Sequence, residues 1–158
     1  MLRAFIPTTF MIEVAMTQED FDGRVREAMA TKSNWFASAE PPVHQEAVAK
    51  VEAELGQALP DEFKHFAVTF GGGYFGGANI STLDEESEWY VLSRPSLEVG
   101  RKKMLVISDD EAGGYYGFLS DGINFEQCIT YINPGDGDRK DNIAPSFFGF
   151  VENFALNV

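Results

Sequence analysis

The chain sets 25 acidic side chains against 12 basic ones, and the acidic ones come in runs. Asp84-Glu85-Glu86-Ser87-Glu88 and Asp109-Asp110-Glu111 hold seven carboxylates with no lysine or arginine among them. Asp136, Asp138 and Asp141 crowd a third segment. Carboxylates so placed can do three kinds of chemistry. A pair can serve as acid and base in glycoside hydrolysis, but nothing around them marks a substrate cleft. They can hold calcium, but residues 136–141 lack a closing Glu and carry Arg139 and Lys140. They can also draw in a cationic partner and raise its capture rate through complementary potential. Solvated turns share this composition, and charge alone does not separate the last reading from solubility.

Other candidates carry less. Gly71-Gly72-Gly73-Tyr74-Phe75-Gly76-Gly77 has the glycines of a phosphate loop, but no Gly-Lys-Ser/Thr ending follows. A helical pattern precedes it and a strand pattern follows, which is not the strand-loop-helix context such a loop needs. It reads as a helix stop and a sharp turn with close backbone approach. His44 and His65 are the only histidines, at no zinc-ligand spacing. His65 could face core or solvent and receives no role. No Gly-x-Ser-x-Gly elbow is present. Cys128 is the single cysteine, so no intramolecular disulfide can form, which suits a reducing, cytoplasmic setting. It lies in a strand-like run, Gln127-Cys128-Ile129-Thr130-Tyr131-Ile132, and reads as a small buried hydrophobe rather than a nucleophile. No catalytic residue, metal ligand or cofactor site follows from the sequence.

The elements that must position these groups show in the periodicity. Thr17 can cap a helix with apolar positions Phe21, Val25, Ala28 and Met29. Residues 31–42 read as a connection that Trp35 and Phe36 pin to the core. Val43, Ala47, Val48, Val51 and Leu55 recur on one helical face. Gly56 supplies a left-handed stop. Pro60 suits the first position of a second helix, with Asp61 and Glu62 at its positive end. Phe63, Phe66, Ala67 and Phe70 give that helix an apolar stripe, and Leu55, Leu59, Phe63, Phe66 and Phe70 are expected to be buried. Strands are expected over 78–83, 88–92, 104–108, 114–119 and 127–132. Turns are expected over 109–114 and 120–122 and a loop over 133–138. Phe147, Val151, Phe154 and Ala155 fit a final helix. Helices, then consecutive strands, then a helix imply an α+β fold with a mostly antiparallel sheet.

Composition bounds the rest. A 158-residue chain with 44% hydrophobic residues and 14 phenylalanines can build one aromatic-rich core. A formal charge of −13 repels phosphate backbones, so direct nucleic-acid binding is not expected. No apolar run approaches the roughly 18 residues of a membrane span. Leu2, Ala4, Phe5 and Ile6 beside Arg3 faintly resemble a leader, but Pro7, Thr8, Thr9 and Glu13 interrupt it. Residues 1–16 are therefore expected to be an N-terminal extension and residues 17–158 a single domain.

One ordered set of residues goes further. Glu52, Leu55-Gly56, Leu59-Pro60 and Phe63, then Gly71-Gly72-Gly73, resemble the opening motif of the SUKH superfamily, the SMI/KNR-type proteins. Trp89-Tyr90-Val91-Leu92, Met104-Leu105-Val106-Ile107, Gly113-Gly114-Tyr115-Tyr116-Gly117-Phe118 and Ser146-Phe147-Phe148-Gly149-Phe150-Val151 extend the resemblance over roughly residues 35–155. It implies a helix pair leading into a small sheet, closed by a final helix. It also implies a role. Bacterial members are mostly cytosolic immunity proteins that neutralise a toxin domain, often a nuclease, delivered by a neighbouring cell. Others act as regulatory interaction modules. The family has no invariant catalytic set, so an enzyme is not expected. A nuclease must hold polyphosphate in a basic cleft, and an acidic protein can occupy that cleft. The expected partner is a toxin domain with a basic surface, and the expected binding residues are Asp84, Glu85, Glu86, Glu88, Asp109, Asp110 and Glu111. A scaffold with an endogenous partner and a small enzyme are the alternatives.

Overall fold

The computed structural model describes residues 16–158. Residues 1–15 of the expected extension lie outside the described residues, while Met16 packs against the core.

Helix α1 (Gln18–Thr31) starts where Thr17 accepts a hydrogen bond from the Asp20 N–H. It buries Phe21 and Val25. A 3-10 turn (Ser33–Phe36) and the two-residue strand β1 (Ala39–Glu40) lead into α2 (Gln45–Leu55). Helix α3 (Asp61–Thr69) follows. The corner between them explains the residue order of the motif. Gly56 takes a left-handed φ of 72° and returns its N–H to the Glu52 carbonyl. The Glu52 carboxylate accepts the Leu59 N–H at 2.7 Å, so one residue satisfies both sides of the turn. Pro60 sits one position earlier than expected, as the N-cap residue, because its extended ψ of 139° turns the chain before the helix begins. Leu55 is half-buried rather than buried, since it ends α2 at the edge of the core.

The strand region forms two antiparallel sheets. Strands β1, β2 (Gly72–Phe75) and β3 (Ala78–Ile80) make a three-stranded sheet in that order. Strands β4 (Leu97–Val99), β5 (Lys102–Asp109), β6 (Tyr115–Ser120), β7 (Ile129–Asn133) and β8 (Asp138–Ala144) make a five-stranded meander. The glycine cluster is thus partly strand. Gly71 closes α3 through its N–H to the Phe66 carbonyl, and Gly72 and Gly73 pair with Glu40 and Ala39. The expected strand over 88–92 is not formed. Tyr90 makes a single parallel bridge to Thr82, and Val91–Ser93 form a 3-10 turn. Asp138 and Asp141 lie on β8 rather than in a loop.

The C-terminal helix begins at α4 (Phe147–Phe150) and continues as a π-helical turn, Val151–Leu156. Its start is capped twice: Ser146 accepts the Gly149 N–H, and Glu62 of α3 accepts the Phe148 N–H at 2.8 Å. Phenylalanine dominates the core between helices and sheets. The fully buried Phe66 ring lies 4.9 Å from Phe75, 5.4 Å from Phe147 and 5.7 Å from Phe70 between centroids. Phe21 stacks on Phe148 at 4.0 Å. Truncating such a ring to Ala costs roughly 3–5 kcal/mol. Strand β5 is apolar on both faces. Leu105 and Ile107 enter the main core, while Met104 and Val106 join Val99 and Leu119 in a smaller cluster behind the sheet.

The β2–β3 hairpin turn is locked to the C-terminal helix. Gly76 has φ 62°, and a Cβ there would strike the Ala155 carbonyl oxygen, which also accepts the Gly77 N–H at 2.8 Å. A Cβ on Gly56, also left-handed, would meet open space. Gly56→Ala should therefore cost only the left-handed strain, about 1–2 kcal/mol. Gly76→Ala should cost clearly more, about 3 kcal/mol, because the hairpin must leave the helix. Urea denaturation of the two variants tests this, and equal losses would mean that the hairpin contact contributes nothing.

Candidate functional site

A cleft of about 350 Å³ opens where the β2–β3 hairpin, the end of β5 and the C-terminal helix meet. Strand alternation builds one wall: Phe75 points into the core, so its neighbour Tyr74 points out and is 47% exposed. The 3-10 turn does the same with Trp35 and Phe36. Phe36 is buried against Phe75, and Trp35, expected in the core, is 49% exposed and faces the cleft. Phe154, stacked on Phe150 at 4.7 Å, lines the opposite side with Tyr116. Tyr74 meets Trp89 edge-on at 4.9 Å, and Arg94 covers Trp89 at 5.2 Å.

The floor is a polar seam joining the two sheets. The Asn79 side-chain amide pairs with β5 as a peptide group would. Its Oδ1 accepts the Asp109 N–H at 3.0 Å, and its Nδ2 donates to the Asp109 carbonyl at 3.2 Å. This happens next to the register shift between Val106 and Ser108 in the β5–β6 pairing. Arg94 reaches in from the 81–94 loop. It donates to Asp109 at 2.7 Å, to Asn79 at 2.9 Å and to Ser81 at 2.9 Å. Ser81 in turn donates to the Val106 carbonyl. Every donor of the seam has an acceptor, as a half-buried polar network requires.

The seven expected binding residues fall into two groups. Glu88, Asp109, Asp110 and Glu111 gather near the cleft: the last three line it, and Glu88 and Glu111 both act on the Tyr74 hydroxyl. Asp84, Glu85 and Glu86 line a separate groove with His44 and Lys50 of the α2 region. Asp84 caps its own turn by accepting the Glu86 N–H, and Lys50 pairs with Glu85 across exposed surface. The seven also differ in freedom. Asp109 is the Arg94 partner, with side chains only 19% and 10% exposed. Asp110 accepts the Ala112 and Gly114 N–H groups and the Tyr131 hydroxyl, at 2.8, 2.8 and 2.7 Å. Among the described residues, neither Glu88 nor Glu111 has a cationic partner. Glu111 sits at φ 59°, at the tip of the turn.

Electrostatics follow from these contacts. The neighbouring Glu111 carboxylate, more than Glu88, raises the Tyr74 pKa. Partial burial pushes the Asp110 carboxyl up, but the Tyr131, Gly114 and Ala112 hydrogen bonds outweigh that and leave it below its ordinary value. The same hydrogen bond raises Tyr131. On β8, Arg139 and Lys140 lie level with Asp109, through their pairing with Ile132 and Tyr131 of β7 and of these with Tyr115 and Tyr116 of β6. Charge is polarised along β5 itself, which Lys102 and Lys103 begin and Asp109 ends. Seven residue steps at about 3.4 Å separate the two ends by roughly 24 Å.

The remaining candidates separate from the cleft. His65 places Nε2 2.8 Å from Asp22 and lies against Phe148. Cys128 precedes β7 and is half-buried rather than buried; burial, and then Glu126, push its thiol up, away from the thiolate a nucleophile needs. Asp136 accepts the Asp138 N–H in a tight turn, and Arg139 pairs with Asp141. Among the described residues, no three His, Cys, Asp or Glu side chains converge as a metal site. Among them too, no helix is long and apolar enough to cross a membrane. The acidic runs were visible in sequence. Trp35, Tyr74, Asn79 and Arg94 were missed as site residues, although the adjacent pairs Trp35-Phe36 and Tyr74-Phe75 signal that one aromatic of each must face outward.

An α+β domain with a motif-built helix pair and two antiparallel sheets is consistent with a SUKH domain. The SUKH_6 family model, described as SMI1-KNR4 cell-wall, matches residues 45–151, and the chain belongs to that family. No curated protein and no solved structure matches the chain.

Two measurements check the site's construction. Asp109→Ala should cost about 3 kcal/mol by stranding Arg94 in the seam, whereas Glu111→Gln should stay within about 0.5 kcal/mol. Equal effects in urea would contradict the difference in burial. Asp110 has a folded pKa below its unfolded one, so its stabilisation is present above about pH 4 and is lost as pH falls through the lowered value. The stability gap between the native chain and Asp110→Asn should therefore narrow below about pH 4. A gap that stays constant down to about pH 2 would mean that the Asp110 hydrogen bonds do not depend on its charge.

Proposed function

We propose that this chain is a non-catalytic binding module that neutralises a basic toxin domain, most simply a nuclease, by occupying its polyphosphate cleft. It turns nothing over and needs no cofactor. The observation that carries the reading is the family membership combined with a formal charge of −13 whose two acidic runs lie at the cleft and at a second groove beside α2. The partner-facing set is Asp84, Glu85, Glu86, Glu88, Asp109, Asp110 and Glu111. Asp109 and Asp110 act mainly by shaping the surface, because their oxygens are already engaged. Glu86, Glu88 and Glu111 offer the freest charge. The cell-wall wording of the family description favours a second reading, a regulatory interaction module with an endogenous partner.

The test takes the product of the neighbouring gene, which this reading expects to be a basic nuclease toxin domain. Co-expression should restore growth, and the two chains should form a stoichiometric complex that blocks cleavage. Absence of both protection and complex would reject the neutralising role and favour the regulatory one. Rim charges set association rate more than dissociation. Charge reversal at Glu86, Glu88 and Glu111 should therefore slow capture about ten-fold at low salt, with the difference largely gone near 0.5 M salt. Stopped-flow association at both salt concentrations checks this. Unchanged kinetics would place the partner elsewhere and leave these charges to solubility.

A further inference from the structure

The cleft combines two features that solubility does not require. The first is exposed aromatic surface: Trp35 and Tyr74 are about half exposed and Phe154 is 36% exposed, all on one opening. Charged turns keep a protein soluble, but an exposed indole works against that end. Trp, Tyr and Arg are the residues on which interface energy concentrates. The second feature is one-sided charge. Asp109, Asp110 and Glu111 line the opening, and among the described residues that line it there is no lysine or arginine. Arg94 neutralises Asp109 from within the seam, so the net charge facing outward belongs to Asp110, whose oxygens are held by neutral donors, and to Glu111, with Glu88 nearby.

We propose that this cleft is an arginine-anchor slot: it takes one guanidinium from a basic loop of the protein partner, stacked against Trp35 and Tyr74 and paired with Glu111. The chemistry selects arginine over lysine. A guanidinium is planar, stacks on aromatic faces and offers two parallel donors to one carboxylate, whereas an ammonium is a strongly hydrated point charge. It selects a partner over a second copy of this chain, because two bodies each at −13 repel one another. The protein already shows the arrangement in miniature, since Arg94 covers the Trp89 face while donating to Asp109. The hairpin lock at Gly76 and Gly77 holds Tyr74 in place, so the slot is preformed. The inference rests on the binding-module reading above and adds where its energy concentrates.

The experiment titrates the full chain with acetyl-Gly-Arg-Gly-amide, and separately with the same peptide carrying citrulline, whose side chain has a similar shape but no charge. Backbone and indole N–H resonances report binding. The arginine peptide should shift the Trp35 indole and the Gly76 and Gly77 amides saturably. The citrulline peptide should bind at least about five-fold more weakly. Glu111→Gln and Trp35→Ala, both exposed and expected to fold, should each reduce the response by a similar factor. Equal binding of the two peptides, or shifts that map to the basic end of β5, would overturn the slot. A second arm separates this inference from the one beneath it. If the same variants release a captured basic toxin no faster than the native chain, the slot is wrong while the binding module stands. If the native chain captures no basic toxin yet the arginine response persists, the slot stands and the toxin reading falls.

Discussion

The interaction on which the site depends is the Arg94 ion pair with Asp109, set in the seam between the two sheets. Asn79 and Ser81 leave β3 and bond to β5 through side chains, and the Ser81 N–H donates to the Ile107 carbonyl. Arg94 satisfies the remaining acceptors of that seam in one fork. Without it, the half-buried Asp109 carboxylate would sit beside the exposed Asp110 with no counter-ion, and Asn79 and Ser81 would lose a shared donor. With it, one carboxylate becomes structure and the next turn projects outward. The Asp110 turn, closed by Ala112, Gly114 and Tyr131, then fixes where Glu111 points.

The same economy runs through the fold. Glu52 and Glu62 both look like surface helix residues, yet one caps the helix corner and the other caps the C-terminal helix. These acids link elements by accepting buried N–H groups, which hold a geometry more specifically than apolar contact does. The phenylalanine core supplies the bulk of the hydrophobic driving force, and the carboxylates set the angles. The π-helical turn at Val151–Leu156 belongs to this scheme. It leaves the Ala155 carbonyl to receive the hairpin, which closes the cleft on its third side.

Much of this was legible in the residues. The cap at Thr17, the left-handed Gly56, the stripe Phe63-Phe66-Phe70 and the α+β order follow from local rules, and the structure carries them. Local rules failed where a distant partner decides. The 88–92 run is β-prone, but with Thr82 offering only one bridge it winds into a 3-10 turn. β8, rich in Asp, Arg and Lys, reads as a loop and becomes a strand because β7 needs a neighbour on that edge. Pairing of Asp109 with a cation 15 residues earlier could not be read from spacing. The acidic runs were visible, but their division between a half-buried seam, a tight turn and free charge is a tertiary property.

The central claim is that this member of the SMI1-KNR4 family meets a basic protein partner at the aromatic, acidic cleft. Hydrogen exchange on the complex with that partner reports it most directly. Amides of residues 74–77 and 110–114 should gain protection on binding, while the basic end of β5 around residues 101–103 should exchange as in the free chain. Protection confined to that basic end, with the cleft unchanged, would contradict the account.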